Sequence, residues 1–192
     1  MHKNVHNERI QSGMKNILKE ILSTSVYLLV VLLITYLIVN FVGQRTEVVG
    51  SSMESTLSDG DNLIVDKISY RFNDPKRYDI IVFPFRYAKN TYYIKRIIGM
   101  PGETVRIDYD GVIYINDKEL TEYYGKEVIV DPGIAVREIT LGKDEYFVMG
   151  DNRNNSTDSR DPSVGNIHKK EILGRAWLRI WPLYEFELLT NK

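Results

Sequence analysis

Two regimes of hydrophobic patterning divide the chain. From Ile21 to Gln44 apolar residues run almost unbroken and no charged side chain occurs, whereas from Thr46 onward short β-branched and aromatic runs alternate with turn residues. A helix over the first stretch reaches about 35 Å at about 1.5 Å per residue, enough to cross a hydrocarbon core of about 30 Å. Buried helices of soluble proteins seldom stay free of charge for so long, so a membrane span over 21–44 is expected. The stretch exceeds the usual apolar region of a secretory signal, and Asn40-Phe41-Val42-Gly43-Gln44 offers no small-x-small cleavage site, which favours a permanent anchor. Lys3, Arg9, Lys15 and Lys19 precede it, while Glu47, Glu54, Asp59 and Asp61 follow Arg45. This bias puts residues 1–20 in the cytoplasm and everything after the span outside, as a single-pass protein of the cell membrane.

Period-two alternation predicts strands over Glu47–Val49, Asn62–Asp66, Asp79–Phe83, Tyr92–Ile98, Val105–Tyr109, Val112–Ile115, Glu145–Met149 and Ala176–Ile180. Asp110-Gly111 has the two-residue spacing of a primed-turn hairpin, and Asn116-Asp117 marks the next reversal. The fold class is therefore all-β and antiparallel. The interval 103–142 carries its own hairpin, a Tyr-rich charged region and Asp131-Pro132-Gly133, and it reads as a small inserted β cap on a main β-domain built from 45–102 and 143–192. Trp177, Trp181, Tyr184 and Phe186 crowd the C-terminal end, where a core strand with its flanks is preferred over a belt dipping into a membrane interface.

Composition narrows the chemistry. The chain has 192 residues, 43% of them hydrophobic, with a net charge of −1 and no Lys/Arg run long enough to form a phosphate-tracking stripe, so nothing argues for nucleic acid as a partner. Cysteine is absent, which removes thiol nucleophiles and thiolate metal sites. Beyond the anchor the only histidine is His168, beside Lys169 and Lys170 in a polar stretch that reads as exposed. No H-E-x-x-H occurs, so neither a metal nor another cofactor is expected.

A lysine base is what remains for acyl transfer, and such a lysine must be desolvated to offer a neutral amine. In Tyr92-Tyr93-Ile94-Lys95-Arg96-Ile97-Ile98 the period of two places Lys95 on one face with Tyr93 and Ile97, among bulky neighbours able to exclude water. Lys67 is the second candidate, but it adjoins Asp66 near a strand end, where an ammonium is comfortable. The run from Val48 to Leu57 turns from strand into a Gly/Ser segment that could present Ser51, Ser52 or Ser55 with free backbone N–H groups nearby.

The runs GSSMESTL, YYIKRIIGMPGE and GDNRNNSTDSR resemble, in order, the signature boxes of type I signal peptidases. The likeness extends to the anchor, the Gly60-Asp61 turn and Gly174-Arg175-Ala176, so it spans nearly the whole chain. The resemblance implies Ser52 as nucleophile and Lys95 as general base. It further implies that Ser156 orients the Lys95 amine and that Arg96 with Asp151, and Arg160 with Asp158, hold the site as ion pairs. Val48, Gly50, Met53, Leu57, Tyr93 and Ile94 would line shallow pockets for small side chains at the first and third positions before the scissile bond. The implied partners are secretory preproteins and the lipid bilayer. Ser55 stands where these peptidases usually have proline, and Gly50 where some have an oxyanion-binding serine; glycine there, with the short chain, resembles the Gram-positive subgroup. A catalytically silent, membrane-anchored peptide-binding β-protein that assists surface-protein assembly is the weaker alternative.

Overall fold

A computed structural model describes residues 2–37 and 43–191. They fall into a helical unit within Met1–Val42 and a β unit over Gly43–Lys192. Helix α1 covers His2–Leu37, and its Lys15–Leu37 stretch has a mean hydropathy of 2.1 with none of it buried. Those 23 residues are long and apolar enough to cross a bilayer. The helix starts well upstream of the expected span. Of the span's last residues, 38–42 lie outside the described residues, and Gly43 and Gln44 belong to a strand, paired with Asp66 and Val65.

The main sheet is antiparallel throughout. Its strands are β1 (Gly43–Glu47), β2 (Asn62–Asp66), β3 (Ile80–Pro84) and β4 (Tyr92–Gly99). A second sheet holds β5 (Thr104–Ile107), β6 (Ile113–Ile115), β7 (Lys118–Glu119) and β8 (Ile139–Thr140). The chain then returns to the first sheet through β9 (Glu145–Met149), β10 (Ile167–His168), β11 (Gly174–Trp181) and β12 (Glu187–Leu188). The order is β1-β2-β11-β3-β4-β9-β10, with β12 against β11, while the second sheet runs β7-β6-β5-β8. A short helix α2, Ser69–Phe72, lies between β2 and β3.

Alternation located these strands well where both faces are buried, as in β2 and β9. It misplaced the first one. Glu47 ends β1 rather than starting a strand, because Val48 leaves the ladder, its side chain buried and its N–H donating to the Asp61 carbonyl. The hairpin at Asp110-Gly111 is wider than two residues. Ile107 and Ile113 form its last pair, and the Asp108 carboxylate accepts the N–H groups of Asp110 and Val112, so a side chain organises the loop. The two-residue primed geometry occurs instead at Asn116-Asp117, both at positive φ, between the paired Ile115 and Lys118. The C-terminal aromatics are not core. Trp177, Trp181, Tyr184 and Phe186 are exposed; within β11, register shifts leave Ala176 and Arg179 as the buried side chains and turn its two tryptophans outward.

The two sheets share one apolar cluster, in which Ile98 of β4 and Phe147 of β9 pack with Val105, Ile107 and Ile113 of the second sheet. Gly99 sits at this junction. A Cβ there would come 2.6 Å from Val105 Cγ2 and 2.8 Å from Leu141 Cδ1. Gly99→Val should therefore cost about 1–3 kcal/mol by overpacking, visible as a melting temperature several degrees lower.

Candidate active site

Ser52 and Lys95 come from different parts of the sheet. Ser52 follows Gly50, whose φ of +91° turns the chain out of the β1 direction, and the Gly50 N–H donates to Asp59 Oδ1 at 2.7 Å. Beyond it the N–H groups of Thr56 and Leu57 both donate to the Met53 carbonyl. Met53 and Leu57 are buried in the cluster with Leu63, Val65 and Val82, which pins this turn to the main sheet. Lys95 lies in β4, on the face whose neighbours Tyr93 and Ile97 pack with Ile81 and Phe83.

The Lys95 Nζ donates to Ser52 Oγ at 2.8 Å and to the Ile94 carbonyl at 3.0 Å. The residue is only 4% exposed, and the Tyr93 ring centroid lies 5.0 Å from the amine. Burial pushes its pKa down to about 8, against Asp158 and Asp151, whose charges favour the ammonium. At pH 7 about a tenth of it is thus a free amine, far more than for an ordinary lysine, and it is already in contact with an alcohol, the arrangement needed to take a proton from a nucleophile. The Ser52 N–H has no acceptor among the described residues, which leaves it available to an oxyanion.

A groove of about 320 Å³ opens over this pair, lined by Gly50, Ser51, Ser52, Tyr93, Ile94 and Lys95, with Tyr92, Asn155 and Thr157 at its margins. Val48, Met53 and Leu57, expected among its lining, lie in the core instead, since close packing of large apolar side chains beneath the turn gains more than exposure. A larger cleft, about 870 Å³, lies beyond Tyr92 and lacks both Ser52 and Lys95. Lys67 and His168 line that cleft, so neither shares a pocket with Ser52. His168 is half-buried rather than exposed, its Nδ1 accepting the Lys170 N–H.

The chain after β9 closes around the pair. Arg96 grips Asp151 through Nε at 2.8 Å and Nη2 at 2.7 Å, and Arg160 grips Asp158 through Nε and Nη2 at 2.9 Å each. The second Asp158 oxygen also accepts the Gly150 N–H. Ser156 departs from expectation. Its Oγ is buried and makes no hydrogen bond, to Lys95 or to any other described residue, because it is tucked against Gly150. Among the described residues no three His, Asp or Glu side chains converge into a metal-binding group.

A model of the signal peptidases, peptidase S26, matches residues 20–181. This chain belongs to that family. It is 42% identical over 156 residues to a probable signal peptidase I-2 of Synechocystis, covering 79% of this chain and 69% of that protein. Signal peptidase I P of Bacillus subtilis subsp. natto is 37% identical over 163 residues, covering 81% and 86% of the two chains. Signal peptidase IB of Staphylococcus aureus is 31% identical over 188 residues, covering 90% and 96%.

In this signal peptidase family member several side chains escaped sequence reasoning. Thr56 Oγ1 donates to Asp151 Oδ2 at 2.5 Å and accepts from Arg96 Nη2 at 3.1 Å, tying the Ser52 turn to the buried ion pair. Asn152 donates its backbone N–H to the Ser52 carbonyl at 3.1 Å and its amide to the Ser51 carbonyl, while Asn155 Nδ2 donates to Ser51 Oγ at 2.8 Å. Tyr124, from the interval expected to be a cap, lies 3.7 Å beneath the Arg96 guanidinium, and Glu122 pairs with buried Arg153 at 2.7 Å. Gly150 carried the strongest missed signal. A Cβ there would collide with the Ser52 carbonyl and Ser156 Oγ, a requirement for close backbone approach that only glycine meets. Arg96→Met would leave Asp151 charged and buried at 0% exposure, so it should cost about 3–5 kcal/mol, read as a lower denaturant midpoint at unchanged slope.

Proposed function

We propose that this chain is a membrane-bound serine endopeptidase that removes N-terminal signal peptides from secreted preproteins by a Ser/Lys dyad. The observation that carries it is the 2.8 Å contact between Ser52 Oγ and a Lys95 amine only 4% exposed. Ser52 Oγ attacks the scissile carbonyl while neutral Lys95 takes its proton. The tetrahedral oxygen is held by the Ser52 N–H, the protonated amine returns its proton to the leaving amine, and a water activated by the again neutral Lys95 hydrolyses the ester.

The edge of β4 supports an extended substrate. β3 pairs with β4 from Tyr92 to Arg96, but β9 joins the opposite edge only from Arg96 onward, so Tyr92–Lys95 keeps one edge without a strand partner among the described residues. A substrate segment adds there as a further strand, with its side chains meeting Gly50, Tyr93 and Ile94 in the groove. Arg96, Asp151, Asp158 and Arg160 hold the site rigid, and Ser156 needs a rotamer other than the one seen here to orient the Lys95 amine. Helix α1 is the anchor, with Lys15 and Lys19 on the cytoplasmic side and the β unit outside, the second sheet forming a cap on the catalytic domain.

The reactive form is the free amine, so kcat/KM on a preprotein substrate should rise with pH through about 8 and then level off. Ser52→Ala and Lys95→Met should each lower kcat by about ten-thousand-fold or more with unchanged circular dichroism. A profile that survives Lys95→Met contradicts the dyad.

A further inference from the structure

The large cleft beyond Tyr92 has no part in the dyad chemistry, yet it adjoins it. Tyr92 lines both the groove over Ser52 and the 870 Å³ cleft, so the two are consecutive along the start of β4. Apolar surfaces of Tyr70, Pro84, Ile172 and Leu173 contribute to its walls. Four cationic side chains line it against two carboxylates. Of the latter, Glu171 is committed to Arg86, and of the former only Lys169 has a carboxylate partner, Asp74, from outside the cleft. Lys67, Arg71 and Lys170 have no ion-pair partner among the described residues. An apolar trough rimmed by free cations suits a peptide segment carrying an acidic side chain.

The distance fixes which segment. Tyr92 and Lys95 are three residues apart in one strand, about 10 Å at about 3.3 Å per residue, so a parallel-running neighbour clears Tyr92 about three residues from the reacting carbonyl. In the peptidase reading, on which this inference rests, the residues before the scissile bond lie beside Ile94 and Tyr93. We propose that the cleft is an extended subsite that takes the preprotein segment from about the fourth to the sixth residue before the scissile bond. There Lys67, Arg71 and Lys170 favour an acidic side chain and oppose a basic one.

The test uses the full-length protein in detergent and a peptide series identical except for Glu, Ala or Lys at the fourth to sixth positions before the cleavage point. At low salt the Glu peptide should exceed the Lys peptide in kcat/KM by about three- to tenfold, as expected of several partly exposed charge pairs, and the ratio should shrink at high salt. Lys67→Glu/Arg71→Glu/Lys170→Glu should invert the preference while changing the Ala peptide by less than about twofold. Lys170→Glu alone, at an exposed position, should shrink it and serves if the triple variant does not fold. Fluorescence anisotropy of the same labelled peptides on Ser52→Ala reads the selectivity without turnover. An Ala peptide left uncut by the parent protein would then count against the peptidase reading alone, and the anisotropy series would still decide the cleft. Equal binding of Glu and Lys peptides, a preference unchanged by charge reversal, a preference confined to positions after the cleavage point, or an effect of charge reversal only on retention by anionic lipid vesicles would each overturn the proposal.

Discussion

Keeping one amine dry is the constraint around which this β unit is organised. An ammonium in water holds its proton far above neutral pH, and only removal from solvent brings the neutral form within reach. Yet the same interior holds Asp151 and Asp158, both buried and both acting to restore the charge on Lys95. Each carboxylate is therefore met by a bidentate arginine of its own, Arg96 for Asp151 and Arg160 for Asp158. A neutralised pair acts on the amine as a dipole rather than as a full charge, so desolvation prevails. Buried ion pairs are costly relative to apolar packing, and their presence here fits a site where fixed geometry matters more than maximal stability.

Rigidity comes from backbone bonds as much as from charge. The Ser52 turn is anchored beneath by Met53 and Leu57 and above by Asn152, whose N–H holds the Ser52 carbonyl. Thr56 then links the same turn to Asp151, and Asp151 to Arg96, the residue directly after Lys95. Ser52 and Lys95 thus both hang from one connected network, which leaves little freedom in the distance between them. The connection between β7 and β8 joins this network through Tyr124 under Arg96, through Glu122 on Arg153, and through Lys126, whose N–H donates to the Asp151 carbonyl. An interval that reads as an insertion in the sequence is a structural support of the site.

Much was legible before any coordinates, because the signals were local. A charge-free apolar run specifies a long helix, alternation in Asn62–Asp66 and Glu145–Met149 specifies buried strands, and the absence of cysteine together with a single downstream histidine directs attention to lysine. The residues alone left Ser51, Ser52 and Ser55 open, and motif resemblance selected Ser52, the one whose hydroxyl meets Lys95. Alternation misled where side chains rather than strands set the backbone, as when Asp108 widened its hairpin or bulges turned the aromatics of β11 outward.

The linear sequence by itself determined the element types, the apolar helix and the short inventory of groups able to do chemistry, since periodicity and residue chemistry are properties of neighbours along the chain. Tertiary structure alone decided that Val48, Met53 and Leu57 are core rather than groove, that Ser156 faces Gly150, and that Thr56, Asn152 and Tyr124 belong to the site. Those outcomes depend on contacts between residues dozens of positions apart. Burial and hydrogen-bond partnership there are set by how sheets pack, which no local pattern encodes.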